Sequence, residues 1–140
     1  LDNDLVPIFC IGETFDDRNA GYTQRILKEQ LAKGLDGVKG QLIDRMVIAY
    51  EPVWAIGTGV NAEPMQIEDT HLQIKGLLAK LYSTELVKQI PILYGGSVKP
   101  ENAKELIEVE GVDGFLVGGS SLKLELFFKI IEIVNNNYKG

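Results

Sequence analysis

One hundred and forty residues, 45% of them apolar and 24% charged, are enough for one globular domain and too few for two ordinary ones. Fourteen lysines and arginines against 20 acids leave a net charge of −6, which disfavours nucleic acid or an anionic membrane as the main partner. A small anionic substrate stays open, since it needs only a local site, and no apolar run approaches the ~20 residues that span a bilayer.

Short apolar runs alternate with segments of helical period. The first run is residues 6–12 (Val-Pro-Ile-Phe-Cys-Ile-Gly), followed by Ile26, Leu27, Gln30, Leu31 and Leu35 on one helical face. The second is residues 46–50 (Met-Val-Ile-Ala-Tyr), followed at helical spacing by Ile67, His71, Ile74, Leu78 and Leu81. The third is residues 90–94 (Ile-Pro-Ile-Leu-Tyr), after which Pro100 opens a helix carrying Ala103, Leu106 and Ile107. The fourth is residues 112–117 (Val-Asp-Gly-Phe-Leu-Val), and Ser120 and Ser121 are natural caps for a last helix. That helix places Leu124, Phe127, Phe128, Ile131 and Val134 on one stripe and turns Lys123, Glu125, Lys129 and Glu132 to water. Runs this apolar suit parallel strands buried on both faces, and the βαβαβαβα order predicts an α/β fold with a parallel sheet under helices. No low-complexity linker divides the chain. The likeness of residues 7–12 to 91–96 reflects shared strand and turn chemistry.

Each strand run ends in glycine or a polar residue, and parallel α/β folds bind ligands beyond those ends. Gly95-Gly96-Ser97 and Gly118-Gly119-Ser120 let a ligand approach backbone N–H groups, and the second leads into a helix start suited to phosphate. The competing reading is that these glycines only close tight turns. Glu51 follows the second strand in phase with Val47 and Ala49, so the three share a side, the interior if the sheet is a barrel. A carboxylate losing water there gains basicity and suits a general base; a structural ion pair or a solvated strand end is the alternative. Pro52 keeps Glu51 extended.

Residues 52–64 form a long apolar connection holding the only tryptophan, Trp54, which reads either as a lid that excludes water or as an interface loop with Trp54 packed permanently. His71 has no second histidine or metal-ligand spacing and reads as packed, so no metal site is expected. Cys10 reads as an inert core thiol and, as the single cysteine, makes a reducing compartment the default. Glu13 reads as a structural pairing, and Ser97, without a histidine–acid pair, as a phosphate-binding hydroxyl. No signal peptide is present, and the first residue is Leu1 rather than methionine, which suggests a segment upstream.

The stretch Ala49-Tyr50-Glu51-Pro52-Val53-Trp54-Ala55-Ile56-Gly57-Thr58-Gly59 resembles the signature of the triosephosphate isomerases. Cys10-Ile11-Gly12-Glu13 resembles that family's fifth strand end, Tyr94-Gly95-Gly96-Ser97-Val98 its seventh, and Gly114-Phe115-Leu116-Val117-Gly118-Gly119 its eighth. The resemblance implies that residues 1–140 are the C-terminal half, a parallel (βα)4 half of a TIM (β/α)8 barrel and so an incomplete domain. It implies that Glu51 is the catalytic base interconverting dihydroxyacetone phosphate and glyceraldehyde 3-phosphate through an enediolate. Pro52 to Ala62 would be the lid, Gly57, Ser97, Gly118 and Gly119 would hold the substrate phosphate, and Tyr94 and Ser97 would stabilise the closed lid. No cofactor is implied; a cytoplasmic, glycolytic and gluconeogenic setting is, as is a homodimer of the full-length protein.

Two departures stand out. Val60-Asn61 stands where the family usually has Lys-Thr at the second hinge of the lid, a change expected to bear on lid kinetics or stability while leaving the base and phosphate contacts in place. The other half of such a barrel supplies an asparagine, a lysine and a histidine that polarise the carbonyl, so the chain alone is expected to turn over little or nothing. The expected behaviour is self-association or pairing with the missing N-terminal half; the alternative is a non-catalytic phosphate-binding or self-assembling half-barrel.

Overall fold

The computed structural model describes residues 5–57 and 61–137. Its strands are β1 (Ile8–Ile11), β2 (Val47–Tyr50), β3 (Ile92–Tyr94) and β4 (Gly114–Phe115), joined in the order β1-β2-β3-β4 into one parallel sheet. Ile8 aligns with Val47 and Ile11 with Tyr50, Tyr50 in turn aligns with Tyr94, and Tyr94 with Phe115. The hydrogen-bond ladder continues past the strand ends. Glu51 N–H donates to Ile11 O at 2.8 Å, and Gly95 N–H to Tyr50 O at 2.8 Å. The sheet thus fixes where both residues begin.

Seven helices fill the connections among the described residues. They are α1 (Phe15–Asn19), α2 (Thr23–Gly34), α3 (Gly40–Ile43), α4 (Pro64–Leu81), α5 (Thr84–Val87), α6 (Pro100–Ile107) and α7 (Leu124–Asn137). Proline opens both α4 and α6, where its missing N–H costs nothing. At those starts the side-chain oxygens of Gln66 and Asn102 accept from the N–H groups of Glu63 and Lys99, at 3.0 and 2.8 Å. The short α1 carries a capping box: Thr14 Oγ1 accepts from Asp17 N–H, while the Asp17 carboxylate receives the Thr14 hydroxyl at 2.6 Å.

The core lies between the sheet and these helices. Ile11, Ile48, Tyr50, Ile92 and Tyr94 point into it and meet Leu27 and Leu31 of α2, Ile67, Ile74 and Leu78 of α4, and Ala103 and Leu106 of α6. Each such aliphatic side chain contributes about 1.5–3 kcal/mol by leaving water.

The opposite face of the sheet corrects the expectation of strands buried on both sides. Ile8 is 49% exposed, Cys10 is exposed, and Val47, Leu93 and Gly114 are only partly covered. The apolar runs are therefore those of a two-faced sheet, with one face open in this chain. Cys10 is not a core thiol: the period-2 alternation that sends Ile11 into the core turns Cys10 to the open face.

The last helix also differs from its sequence reading. Of its side chains only Ile130 is buried, with Leu126, Ile133 and Val134 partly covered. Leu124, Phe128 and Ile131 stay exposed at 83, 56 and 48%. The cause is position: α7 packs on α6 at the edge of the sheet, so half of its apolar surface faces outward. Ser120 and Ser121 do not cap it. They lie in a single 3₁₀ turn (Gly119–Leu122), where Ser120 Oγ donates to Val98 O at 2.8 Å and Ser121 Oγ to Gly118 O at 2.7 Å.

Candidate active site

Beyond the C-terminal ends of the strands lies an open cleft of about 620 Å³. Glu51, Ile56, Gly57, Ser97, Gly118 and Gly119 all line it, so the sheet gathers the candidate base and every candidate phosphate residue at one place. The Ser120–Val98 hydrogen bond ties together the turns after β3 and β4, and Asn102 Nδ2 donates to Ser97 O at 3.0 Å. The two walls of the cleft are thereby braced.

Glu51 is half-buried on the open face, with its side chain lying over Gly95. A Cβ at Gly95 would sit 2.5 Å from Glu51 Cγ, so glycine is required there to leave room for the carboxylate. The Cys10 thiol is the neighbour that sequence reasoning missed. It stands near Glu51, and partial burial first, then the neighbouring carboxylate, push it up to about 11. The available signal was phase: Cys10 aligns with Ala49, two residues before Glu51 on the same face.

Gly118 and Gly119 are exposed, and a Cβ on either would meet nothing within 4 Å. Neither glycine is therefore required by packing within the chain, although Gly118 (φ −84°, ψ −113°) lies outside the ordinary helical and extended regions. Gly57 differs, since its φ of +66° favours glycine.

The connection after β2 is anchored at its first end. Val53–Ala55 form a 3₁₀ turn, and Val53 N–H donates to Glu13 O at 3.0 Å. Trp54 Nε1 donates to Glu13 Oε1 at 3.3 Å, beside Phe15 (centroids 6.3 Å apart) and beneath the Arg18 guanidinium at 5.5 Å. Pro52 and Ala55 are buried, whereas Val53 and Ile56 are about half exposed. Thr58, Gly59 and Val60 lie outside the described residues; Asn61 is exposed and Ala62 buried. Tyr94 does not line the cleft. Its buried hydroxyl lacks a hydrogen bond; burial raises its pKa, and the Ala62 backbone beside it offsets part of that rise.

Glu13 is a structural pairing, fully buried. Its Oε1 accepts from Arg18 Nη1 at 2.7 Å and from the Tyr50 hydroxyl at 3.0 Å, as well as from Trp54. Burial, and then the Glu13 charge, hold the Tyr50 phenol well above its usual range.

His71 is packed. Its Nδ1–H donates to Gly111 O at 2.8 Å, its Nε2 is buried without a partner, and Tyr50 stands edge-on at 5.8 Å. Protonating Nε2 would bury an unpaired N–H⁺, and burial lowers the pKa to about 4 against an opposing pull from Gly111 and Asp113. A depressed histidine favours the fold while neutral, so this contribution is complete above about pH 6.5 and lost as pH falls toward 4. Urea titrations should show on the order of 3 kcal/mol lost across that window, and His71→Gln should flatten it.

Among the described residues no cluster of His, Cys, Asp and Glu could hold a metal ion, and no helix is long and apolar enough to cross a membrane. An α/β fold whose four-strand parallel sheet carries a carboxylate and glycine-rich turns at its C-terminal ends is consistent with part of a TIM barrel. Comparison with known proteins agrees. The triosephosphate isomerase family model matches residues 1–134, and the chain belongs to that family. It is 44% identical over 135 residues to the triosephosphate isomerase of Fusobacterium nucleatum, covering 96% of this chain and 54% of the relative. Identity is 49% to that of Carboxydothermus hydrogenoformans, over 91% of this chain and 51% of the relative. It is 50% to that of Rhodopirellula baltica, over 94% and 52% respectively. The chain thus spans about half the length of the curated relatives it matches.

Proposed function

We propose that this chain is the C-terminal half of a triosephosphate isomerase, a (βα)4 half-barrel carrying the base, lid and phosphate donors. The observation that carries this reading is the Glu51 carboxylate, seated over Gly95 and facing the cleft lined by Gly57, Ser97, Gly118 and Gly119. Backbone amides of Gly57, Ser97 and Gly119 hold the phosphate of dihydroxyacetone phosphate, with Gly118 shaping the turn. Glu51 takes a proton from the carbon beside the carbonyl and returns it to the neighbouring carbon, through an enediolate. Residues 52–62 close over the intermediate, stabilised by Tyr94 and Ser97, and shield it from water. Neither metal nor organic cofactor takes part, and the setting is cytoplasmic.

The described lining of the cleft holds no imidazole or carboxamide to polarise the substrate carbonyl. The 140 residues alone therefore turn over little or no substrate, and the other half of the barrel supplies that electrophile. In the whole protein the unit is a homodimer. The open face, with Ile8 and Cys10 exposed and Leu93 only partly covered, is where the other half, or failing it a second copy, seats. An isomerase assay of the chain alone, and of the chain mixed with the N-terminal half of one of its relatives, tests the reading. Turnover in the mixture and not in either half is expected. Phosphate binding with no turnover in any mixture would favour the alternative, a non-catalytic phosphate-binding half-barrel.

A further inference from the structure

Backbone amides carry only partial charges, and a chain of net charge −6 repels a phosphate dianion from a distance. The cleft nevertheless carries two full positive charges of its own. Lys99 lines it from the wall formed by the turn after β3, and Lys123 from the wall that leads into α7. Both are exposed, and neither forms an ion pair among the described residues, whereas Lys33 pairs with Glu29 at 2.6 Å and Lys75 with Asp113 at 3.8 Å. Two ammonium groups without an ion pair among the described residues therefore share the cleft with half-buried Ser97 and exposed Gly118 and Gly119, its walls braced by the Ser120–Val98 bond. Two acids also line the cleft: Glu51, on β2's end, and Glu101, in the first turn of α6, where a helix start favours a carboxylate.

We propose that Lys99 and Lys123 form a cationic rim that draws a phosphate dianion onto these amides, so that they set affinity for the phosphate group and take no part in proton transfer. The inference rests on reading the cleft as a phosphate site and assigns to side chains a share of recognition that the amides alone cannot supply. The charges are solvated, so their pull is moderate, screened by salt, and larger for a dianion than a monoanion.

The test is calorimetric titration of the 140-residue chain with inorganic phosphate at neutral pH, in low and in high salt. Lys99→Gln and Lys123→Gln should each weaken binding about three- to tenfold in low salt, and much less in high salt. Glu101→Gln should strengthen it about twofold, the reverse sign, because it removes a repelling charge from the same cleft. Lys28→Gln, on the exposed face of α2, should leave it unchanged. Binding by the wild-type chain that is indifferent to both cleft lysines overturns the rim and leaves the amide cradle standing. Equal weakening by Lys28→Gln also overturns the rim, since bulk charge would then be the cause. No binding by the wild-type chain overturns both the rim and the phosphate reading of the cleft.

Discussion

Glu51→Gln should lower kcat about a thousandfold in a barrel reassembled from this chain and an N-terminal half, with little change in KM. Glutamine keeps the shape that Gly95 accommodates, so the substitution removes the proton acceptor and not the packing. The proposed phosphate donors at Ser97, Gly118 and Gly119 arise from other strands, which is why ground-state binding should survive. A second readout needs no reassembly. The Cys10 thiol is held at about 11 by partial burial and, after that, by the neighbouring Glu51 carboxylate. A neutral amide removes the charge, so the pH profile of Cys10 alkylation by iodoacetamide should move to lower pH in the variant. A profile that stays in place would mean that carboxylate and thiol do not face each other, and the seating of Glu51 on the open face would be wrong. A large fall in kcat together with that shift locates the base on the inner side of the sheet.

Much of this was legible because two periods coincide with two physical requirements. Val47, Ala49 and Glu51 alternate with Ile48 and Tyr50, and the strand period alone put the carboxylate on the face opposite the helices. Most of the buried stripes of α2, α4 and α6 followed from spacing, as did the proline start of α6, whereas Pro64 was read as the end of a loop and Leu81 lies exposed. What was not legible depended on partners that periodicity does not name. Apolar runs predict burial but not against what, so Ile8 and Cys10, and the outer stripe of α7, were assigned to a core that this chain does not itself complete. Ser120 and Ser121 looked like caps because serine beside a helix start usually is one. In the fold their hydroxyls face carbonyls, Val98 O and Gly118 O, and brace the cleft instead. The α1 turn was readable in principle: Thr14 and Asp17 have capping-box spacing, a signal masked by the shortness of the helix. The site residues were found through the family resemblance more than through spacing, since glycine pairs mark ordinary turns as readily as phosphate cradles.

Glu13→Ala should destabilise the fold by about 3–5 kcal/mol, as much as the larger aliphatic truncations on the helix side of the sheet. The reason is the number of groups left behind. Glu13 is completely buried, and its Oε1 receives Arg18, Tyr50 and Trp54 at once, at 2.7, 3.0 and 3.3 Å. Alanine leaves the Arg18 guanidinium without its carboxylate while it still lies against the Trp54 ring and the Tyr50 hydroxyl. It also leaves a cavity where the side chain stood. Glu13→Gln keeps the volume and an accepting oxygen but not the charge, so it should cost distinctly less than alanine. Arg18→Met, which removes the cation and retains the stem over Trp54, tests the same pair from the other side. If the pair dominates, the double variant Glu13→Gln/Arg18→Met should be more stable than the sum of the singles predicts, as urea denaturation would show. The same cluster holds the start of the 52–62 connection, through Val53 N–H on Glu13 O and Trp54 on its carboxylate. Loss of the carboxylate should therefore raise Trp54 exposure, read as a red shift of its fluorescence in the native state. The Val53 bond, made to backbone, survives the substitution. Displacement of Trp54 without unfolding would assign Glu13 to anchoring the loop stem, whereas unfolding with no native-state shift would assign it to the core alone.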